Sequence, residues 1–190
     1  VNDFTRTLDL HPLYVRAYHY RGISNDQLGN YADAKKDYNI AIKLDPYDPE
    51  LHIALGSTKL HLNEFEDAIA SFDTALIINP TNANAYINRG VAKRFLNQLD
   101  EAVADLDKAV YYDFFNVEAL VRRGIIQMER EKYKEAMLDF NNALKLDSDN
   151  PIIYFNRGTV HLNMGDTVSA LKDYERVNNL DENNALTYFN

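Results

Sequence analysis

Arginine and aspartate recur at one fixed separation along the chain. Four arginines are each followed sixteen residues later by an aspartate, in the pairs Arg21–Asp37, Arg89–Asp105, Arg123–Asp139 and Arg157–Asp173. A guanidinium and a carboxylate can form a bidentate, charge-assisted hydrogen bond. Leu55 and Ser71 stand at the same two positions in a fifth copy, so both partners change together. This pattern predicts an Arg–Asp pair across a helix hairpin, with a structural role in preference to ligand binding.

Motifs of catalytic and cofactor-binding sites are absent from the sequence. It has no P-loop, no dinucleotide-binding glycine fingerprint, no HExxH helix and no nucleophile elbow. There is no cysteine, which excludes disulfides and thiolate chemistry. The five histidines show no i, i+4 pairing that would suit a metal on a helix. We therefore expect no enzyme, no cofactor and no metal in this segment, which could instead be the recruiting arm of a larger enzyme or regulator.

The paired residues belong to a tandem repeat of 34 residues. Its markers are five glycines at that spacing and five alanines twelve residues after them: Gly22, Gly56, Gly90, Gly124, Gly158, Ala34, Ala68, Ala102, Ala136 and Ala170. Both halves of each copy show the apolar spacing of a helix. One such unit cannot bury its apolar face alone, so the copies are expected to stack into an all-α solenoid. We expect each glycine to face the alanine of its own copy.

A short turn joins the two predicted helices of each copy. The equivalent turn residues are Gly29, Asn63, Asn97, Glu131 and Gly165. Glycine and asparagine suit the left-handed conformation that ends many helices. Proline after the second helix, as in Leu44-Asp45-Pro46, closes the copy because proline cannot continue a helix interior.

The pattern resembles that of the tetratricopeptide repeat (TPR) family, in which a bulky residue, Gly, Ala, an aromatic and Pro recur at these offsets. The resemblance implies an all-α, right-handed superhelix of stacked antiparallel helix pairs in a single array. Its repeats would be residues 15–48, 49–82, 83–116, 117–150 and 151–184, preceded by the second helix of an earlier repeat at 1–14 and followed by the start of another at 185–190. Neither end shows a polar capping helix, so we expect an excerpt from a longer protein.

The same resemblance implies a concave groove lined by the first helix of each repeat. The candidate ligand-binding residues there are Tyr20, Asn88, Arg94, Phe95, Arg122 and Asn156. Asparagine offers both a donor and an acceptor to a peptide backbone, and Arg94 with Arg122 could meet a carboxylate. These residues predict a protein–protein interaction scaffold that holds a peptide or protein segment. The alternative is a solvated face with no ligand in this segment.

Charge and composition narrow the class of partner. The net charge of −9 disfavours nucleic acid and anionic membrane, which need a basic surface, and favours a neutral or basic protein or peptide. No apolar run approaches the roughly 18 residues that span a bilayer, so a soluble segment is expected. The composition does not distinguish a cytoplasmic from a periplasmic or other extracytoplasmic location.

Some TPR proteins bind the acidic tails of heat-shock chaperones through a clamp of lysines and asparagines. Residues without a lysine's charge, such as Ile53, Ile87 and Val121, occupy the position of its first lysine. Chaperone tails are therefore not expected as ligands of this chain.

One segment departs from the repeat by being rich in aromatic residues. Tyr111, Phe114 and Phe115 lie where other copies have a polar turn with proline, and Ile77 is the counterpart of Tyr111 one repeat earlier. One interpretation is that Phe114 and Phe115 pack between adjacent repeats in place of the missing proline. The alternative is an exposed contact site for self-association as a homodimer or for docking of a partner.

Overall fold

The computed structural model describes residues 1–188, with side chains described for residues 1–180. Within this range the chain forms eleven α-helices and no strand. They are α1 (Asn2–Leu10), α2 (Val15–Gln27), α3 (Tyr31–Leu44), α4 (Pro49–His61), α5 (Phe65–Ile78), α6 (Ala83–Phe95), α7 (Leu99–Tyr112), α8 (Val117–Glu129), α9 (Tyr133–Leu146), α10 (Pro151–Asn163) and α11 (Thr167–Tyr188). None of the described helices is long and apolar enough to cross a membrane.

The helices after α1 come in five pairs, and each pair begins at the first residue of a predicted repeat. The chain divides into two compact units, an N-terminal unit Val1–Asp105 and a C-terminal unit Leu106–Asn190. The last helix, α11, runs unbroken past residue 184, where the repeat pattern places a boundary. The predicted start of a further repeat at 185–190 falls at this helix end, partly outside the described residues, and stays a prediction.

Short polar motifs begin and end the helices. Asn116 caps α8 by accepting a hydrogen bond from the backbone N–H of Ala119 at 3.0 Å, and Asn150 caps α10 in the same way through Ile152. The left-handed conformation expected of the Gly and Asn turn residues is confirmed, with φ of +75° at Gly29 and +81° at Gly165. Asparagine or glutamate takes the same conformation in the other three copies, with φ of +59°. Each turn therefore reverses the chain at the same point of the repeat.

In four of the five repeats a core glycine packs against a ring, whereas the third repeat has Leu106 at the ring position. A Cβ atom added to Gly56 would lie 2.6 Å from the nearest carbon of the Phe72 ring, which is fully buried. Gly22 faces Tyr38 and Gly124 faces Phe140 in the same manner. In these four copies the expectation that the glycine faces the alanine is wrong, because the nearest side chain is the aromatic residue four positions after that alanine. The alanines are buried instead as small residues of the same core.

Candidate protein-binding surfaces

The predicted Arg–Asp pairs form in all four copies. Nε and Nη2 of Arg123 donate to the two carboxylate oxygens of Asp139 at 2.9 and 2.6 Å. Arg21–Asp37 and Arg157–Asp173 have the same two donor–acceptor distances as Arg123–Asp139. Arg89–Asp105 has the same bidentate geometry. Each pair joins the first helix of a repeat to its second. The sequence prediction of a pair across the hairpin is confirmed.

Each arginine also reaches back into the preceding helix. Nη1 of Arg89 donates to Asp73 at 2.5 Å, and Nη1 of Arg123 donates to Asp107 at 2.7 Å. In the other two copies the acceptor sixteen residues earlier is neutral, Thr5 or Asn141. One guanidinium therefore ties its own repeat to the repeat before it. This second contact was missed in the sequence, although Asp73 and Asp107 stand sixteen residues before their arginines.

Rings and carboxylates enclose these guanidinium groups. The Arg89 guanidinium carbon lies 5.4 Å from the centre of the Tyr86 ring, a cation–π contact that recurs at Arg21 and Arg157. Burial lowers the pKa of Arg123, but hydrogen bonds to Asp139 and Asp107 outweigh that effect and leave the pKa raised. The four arginines thus stay charged and engaged within the protein, which makes them repeat staples.

The second repeat replaces this staple with apolar packing. Leu55 occupies the arginine position and is buried, and Ser71 occupies the aspartate position. Lys59 Nζ donates to Ser71 Oγ at 3.0 Å, so the serine has a polar partner. The fold therefore accepts two solutions at one structural position, one ionic and one mainly apolar.

Four groove candidates lie in the N-terminal unit: Tyr20 on α2, and Asn88, Arg94 and Phe95 on α6. Phe95 stacks on Phe65 with ring centres 4.8 Å apart, and Tyr20 stacks on His19 at 5.7 Å. Asn88 is half-buried, and its side-chain amide forms no hydrogen bond with any residue that the structure describes. Its donor and acceptor are thus available to a ligand.

The remaining groove candidates, Arg122 on α8 and Asn156 on α10, lie in the C-terminal unit. Arg122 Nε donates to Glu118 at 2.7 Å, so its charge already has a neighbouring carboxylate. Asn156 donates to the backbone oxygen of Ile152 at 2.7 Å. A carboxylate site formed jointly by Arg94 and Arg122 stays a prediction.

Arg122 lines a cleft of about 450 Å³, which we call the α8–α10 cleft. Its walls are Val117, Glu118, Val121, Arg122, Ile125, Asp147, Asn150 and Ile152. The apolar part comes mainly from α8 and the polar rim from the turn before α10. Val121, Ile125 and Ile152 were not among the candidates, although the i, i+4 spacing of the first two beside Arg122 is the sequence signal for an apolar strip on α8.

The segment 111–115, which we call the aromatic turn, is exposed. Phe114 and Phe115 are 68% and 72% exposed and meet edge to face, with ring centres 5.6 Å apart. Tyr111 is 81% exposed and contacts Tyr112. The interpretation that Phe114 and Phe115 pack between repeats is therefore wrong. Ile77 is also largely exposed but belongs to the N-terminal unit, and its membership of a patch with Tyr111 stays a prediction.

The turn geometry explains this exposure. Asn116 Nδ2 donates to Asp113 at 2.9 Å, and Asn150 donates to Asp147 at 2.8 Å in the next repeat. Both turns thus share one hydrogen-bonded form, and the two residues between their polar ends are exposed in each, as they are at Pro46 and Tyr47. Phe114 and Phe115 occupy positions that point to solvent whatever residue stands there.

A second cleft lies beside this turn, and we call it the Phe114 cleft. Its volume is about 200 Å³, and its walls are Val110, Phe114, Leu120, Arg123, Asn142, Lys145 and Leu146. It shares no lining residue with the α8–α10 cleft. The two clefts are therefore distinct concave surfaces of the C-terminal unit.

Family models match most of the chain. Models described as tetratricopeptide repeat cover residues 1–49 and 21–83, 71–104, and 152–184, and one described as TPR repeat covers 124–165. The chain is a member of the tetratricopeptide repeat family. The predicted all-α TPR solenoid is confirmed by the helices and by the solved structures that resemble it.

Three of these solved structures are TPR proteins of similar size. MamA from Desulfovibrio magneticus RS-1 is 18% identical with a TM-score of 0.80, covering 89% of this chain and 96% of that one. YrrB, described as a TPR protein with an unusual peptide-binding site, is 18% identical with a TM-score of 0.72, covering 98% and 96%. PilF of Pseudomonas aeruginosa is 22% identical with a TM-score of 0.80, covering 87% and 75%. At these identities the likeness concerns the fold.

One curated protein matches over a short stretch. Serine/threonine-protein phosphatase T of Aspergillus oryzae is 33% identical over 55 residues, which are 29% of this chain and 12% of the phosphatase. The match thus spans about an eighth of that enzyme. TPR proteins are typically non-catalytic scaffolds, and the TPR fold supports a protein-interaction scaffold here.

Proposed function

We propose that this TPR segment binds an extended, neutral or basic peptide segment of a partner protein, and that the α8–α10 cleft takes one of its apolar side chains. The observation that carries the proposal is the cleft itself, with an apolar floor and a few convergent polar groups. Its volume of about 450 Å³ falls within the roughly 300–1,000 Å³ of ligand-binding pockets. YrrB, a TPR protein described by its peptide-binding site, supports a peptide as the class of ligand.

The charges at the cleft favour a partner that is not acidic. Glu118 already pairs with Arg122, and Asp147 also lines the cleft. An incoming carboxylate would have to displace Glu118 and approach Asp147, whereas a basic or neutral peptide meets neither cost. The net charge of −9 acts in the same direction over longer distances.

Asn88 supports peptide binding independently in the N-terminal unit. A half-buried amide with no hydrogen-bonding partner among the described residues gains most from a ligand that supplies one. A peptide backbone supplies both a carbonyl and an N–H to such an amide.

Selection from a phage-displayed library of random 12-residue peptides tests this function. We expect the chain to select peptides with apolar and basic residues. A synthetic copy of the best one should lose at least about tenfold in affinity on Asn88→Ala with Arg122→Ala, because these changes remove the Asn88 amide and the Arg122 side-chain stem that lines the cleft. The matched control is Asn39→Ala with Arg176→Ala, since Asn39 lies on a second helix and Arg176 forms an exposed pair with Asp149.

Isothermal titration calorimetry of the selected peptide against both double variants gives the result. Equal affinity for the two double variants would place the peptide outside the groove. A selection that enriches no binding peptide would contradict peptide binding itself.

A further inference from the structure

We propose that the aromatic turn is an interface for a second copy of this chain, in which Phe115 of each copy enters the Phe114 cleft of the other. Phe115 projects from the turn, and the cleft opens beside the neighbouring Phe114. A two-fold interface requires one surface that is complementary to itself. A projecting ring next to an apolar cleft meets this requirement.

The size of the cleft suits a single side chain. Its volume of about 200 Å³ is below the roughly 300–1,000 Å³ of pockets that hold drug-sized ligands. Val110, Leu120 and Leu146 give it apolar walls, and Phe114 offers a ring against which a second ring can pack edge to face. One phenylalanine ring is the occupant that this shape and chemistry accept.

Two charged residues, Lys145 and Asp113, lie at the Phe114 cleft and the aromatic turn and support a second copy of this chain as the partner. Lys145 lies at the cleft and donates only to the neutral Asn142, at 3.0 Å. Asp113 lies in the aromatic turn beside Phe114 and accepts from the neutral Asn116. Neither has an ion-pair partner among the residues with described side chains. Exchange of Phe115 across a two-fold axis brings Asp113 of one copy towards Lys145 of the other.

The expected dimer is weak. Specific interfaces bury about 800 Å² on each partner, and a patch of four aromatic residues with one cleft lies at the low end of that range. The acidic net charge also opposes association of two copies at low salt. We therefore expect a concentration-dependent dimer with a dissociation constant on the order of 10–100 μM.

Light scattering coupled to size exclusion, over a concentration series of the 190-residue chain, tests the proposal. The mass is expected to rise from that of the 21.9 kDa monomer towards twice that value. Phe115→Ser should raise the dissociation constant by at least about tenfold, because it removes the side chain that fills the cleft. Tyr47→Ser is the matched control, since Tyr47 holds the equivalent turn position, is 80% exposed and has no phenylalanine beside it.

A charge test separates this geometry from non-specific stickiness of the rings. Lys145→Glu should weaken the dimer by placing a carboxylate near Asp113 of the other copy, and adding Asp113→Asn should restore part of the affinity. A monomer at every concentration would overturn the proposal. So would equal effects of Phe115→Ser and Tyr47→Ser, or the absence of rescue by Asp113→Asn in chains that circular dichroism shows to be folded.

Discussion

Replacing Arg123 by alanine is expected to lower the free energy of unfolding by about 3–5 kcal/mol. Asp139 is 3% exposed and depends on Arg123 for both hydrogen bonds to its carboxylate. Removing the guanidinium leaves the buried carboxylate of Asp139 without a partner. Asp107, the other carboxylate that Arg123 binds, also loses this partner. Urea denaturation followed by circular dichroism measures the loss.

The second repeat supplies the control for this variant. Arg123→Leu with Asp139→Ser copies the Leu55 and Ser71 arrangement that the fold already uses. Because both charges are removed together, we expect the double variant to be more stable than Arg123→Leu alone. If the two variants were equally unstable, the penalty would come from lost packing of the arginine stem and not from the stranded carboxylate.

The same variant has a predictable pH dependence. Burial raises the pKa of Asp139 above its ordinary value, while the hydrogen bonds and charge of Arg123 oppose that rise. A carboxyl whose pKa is higher in the folded than in the unfolded state destabilises the fold above that pKa and ceases to do so as the pH falls through it. Without Arg123 the pKa rises further. The stability difference between wild type and Arg123→Ala should therefore narrow as the pH is lowered from neutrality, and a constant difference would contradict this account.

Phe72→Ala is expected to destabilise the array by about 3–5 kcal/mol, the usual cost of removing a fully buried ring. Phe72 has no exposed surface, and its ring fills the space that Gly56 leaves. The cavity cannot close easily because helix backbone lines the glycine side. Tyr47→Ala, an exposed aromatic at a turn, should change stability by less than about 0.5 kcal/mol in the same urea titration.

Gly56→Ala tests the same contact from the other side. The new methyl group would lie 2.6 Å from the ring of Phe72, so the ring must move, at a cost of about 1–3 kcal/mol. The better helix propensity of alanine returns about 1 kcal/mol of this. A stabilised Gly56→Ala variant would show that the ring has room to move.

Contacts that recur in every copy were accessible from the sequence. The Arg–Asp pairs could be predicted because one offset of sixteen residues appears four times and both members change together at Leu55 and Ser71. The Gly and Asn turns could be predicted because these residues tolerate positive φ, whereas the same conformation at Glu131 was found only in the structure. The helices follow from the apolar spacing of each half repeat.

The aromatic turn shows where such reasoning was wrong. Burial of Phe114 and Phe115 in place of the missing proline was one of two interpretations of these residues, yet the hydrogen bond between Asp113 and Asn116 fixes the turn so that both rings project outwards. Pro46 and Tyr47 stand at the equivalent positions two repeats earlier and are exposed as well. Alignment of the repeats therefore carried a signal that these two turn positions are exposed. The backbone conformation of the turn therefore exposes both rings, although apolar rings favour burial.

By itself the sequence determined the repeat length, the helix pairs, the conformation of the Gly and Asn turns and the ion pairs within four of the repeats. All of these depend on short offsets that are repeated along the chain, so each copy checks the others. Only the tertiary structure decided that glycine faces a ring in four repeats, that each arginine reaches back to the preceding repeat, and that the α8–α10 cleft and the Phe114 cleft form. These depend on the directions of side chains on neighbouring helices, which a pattern of residue types along one chain does not specify.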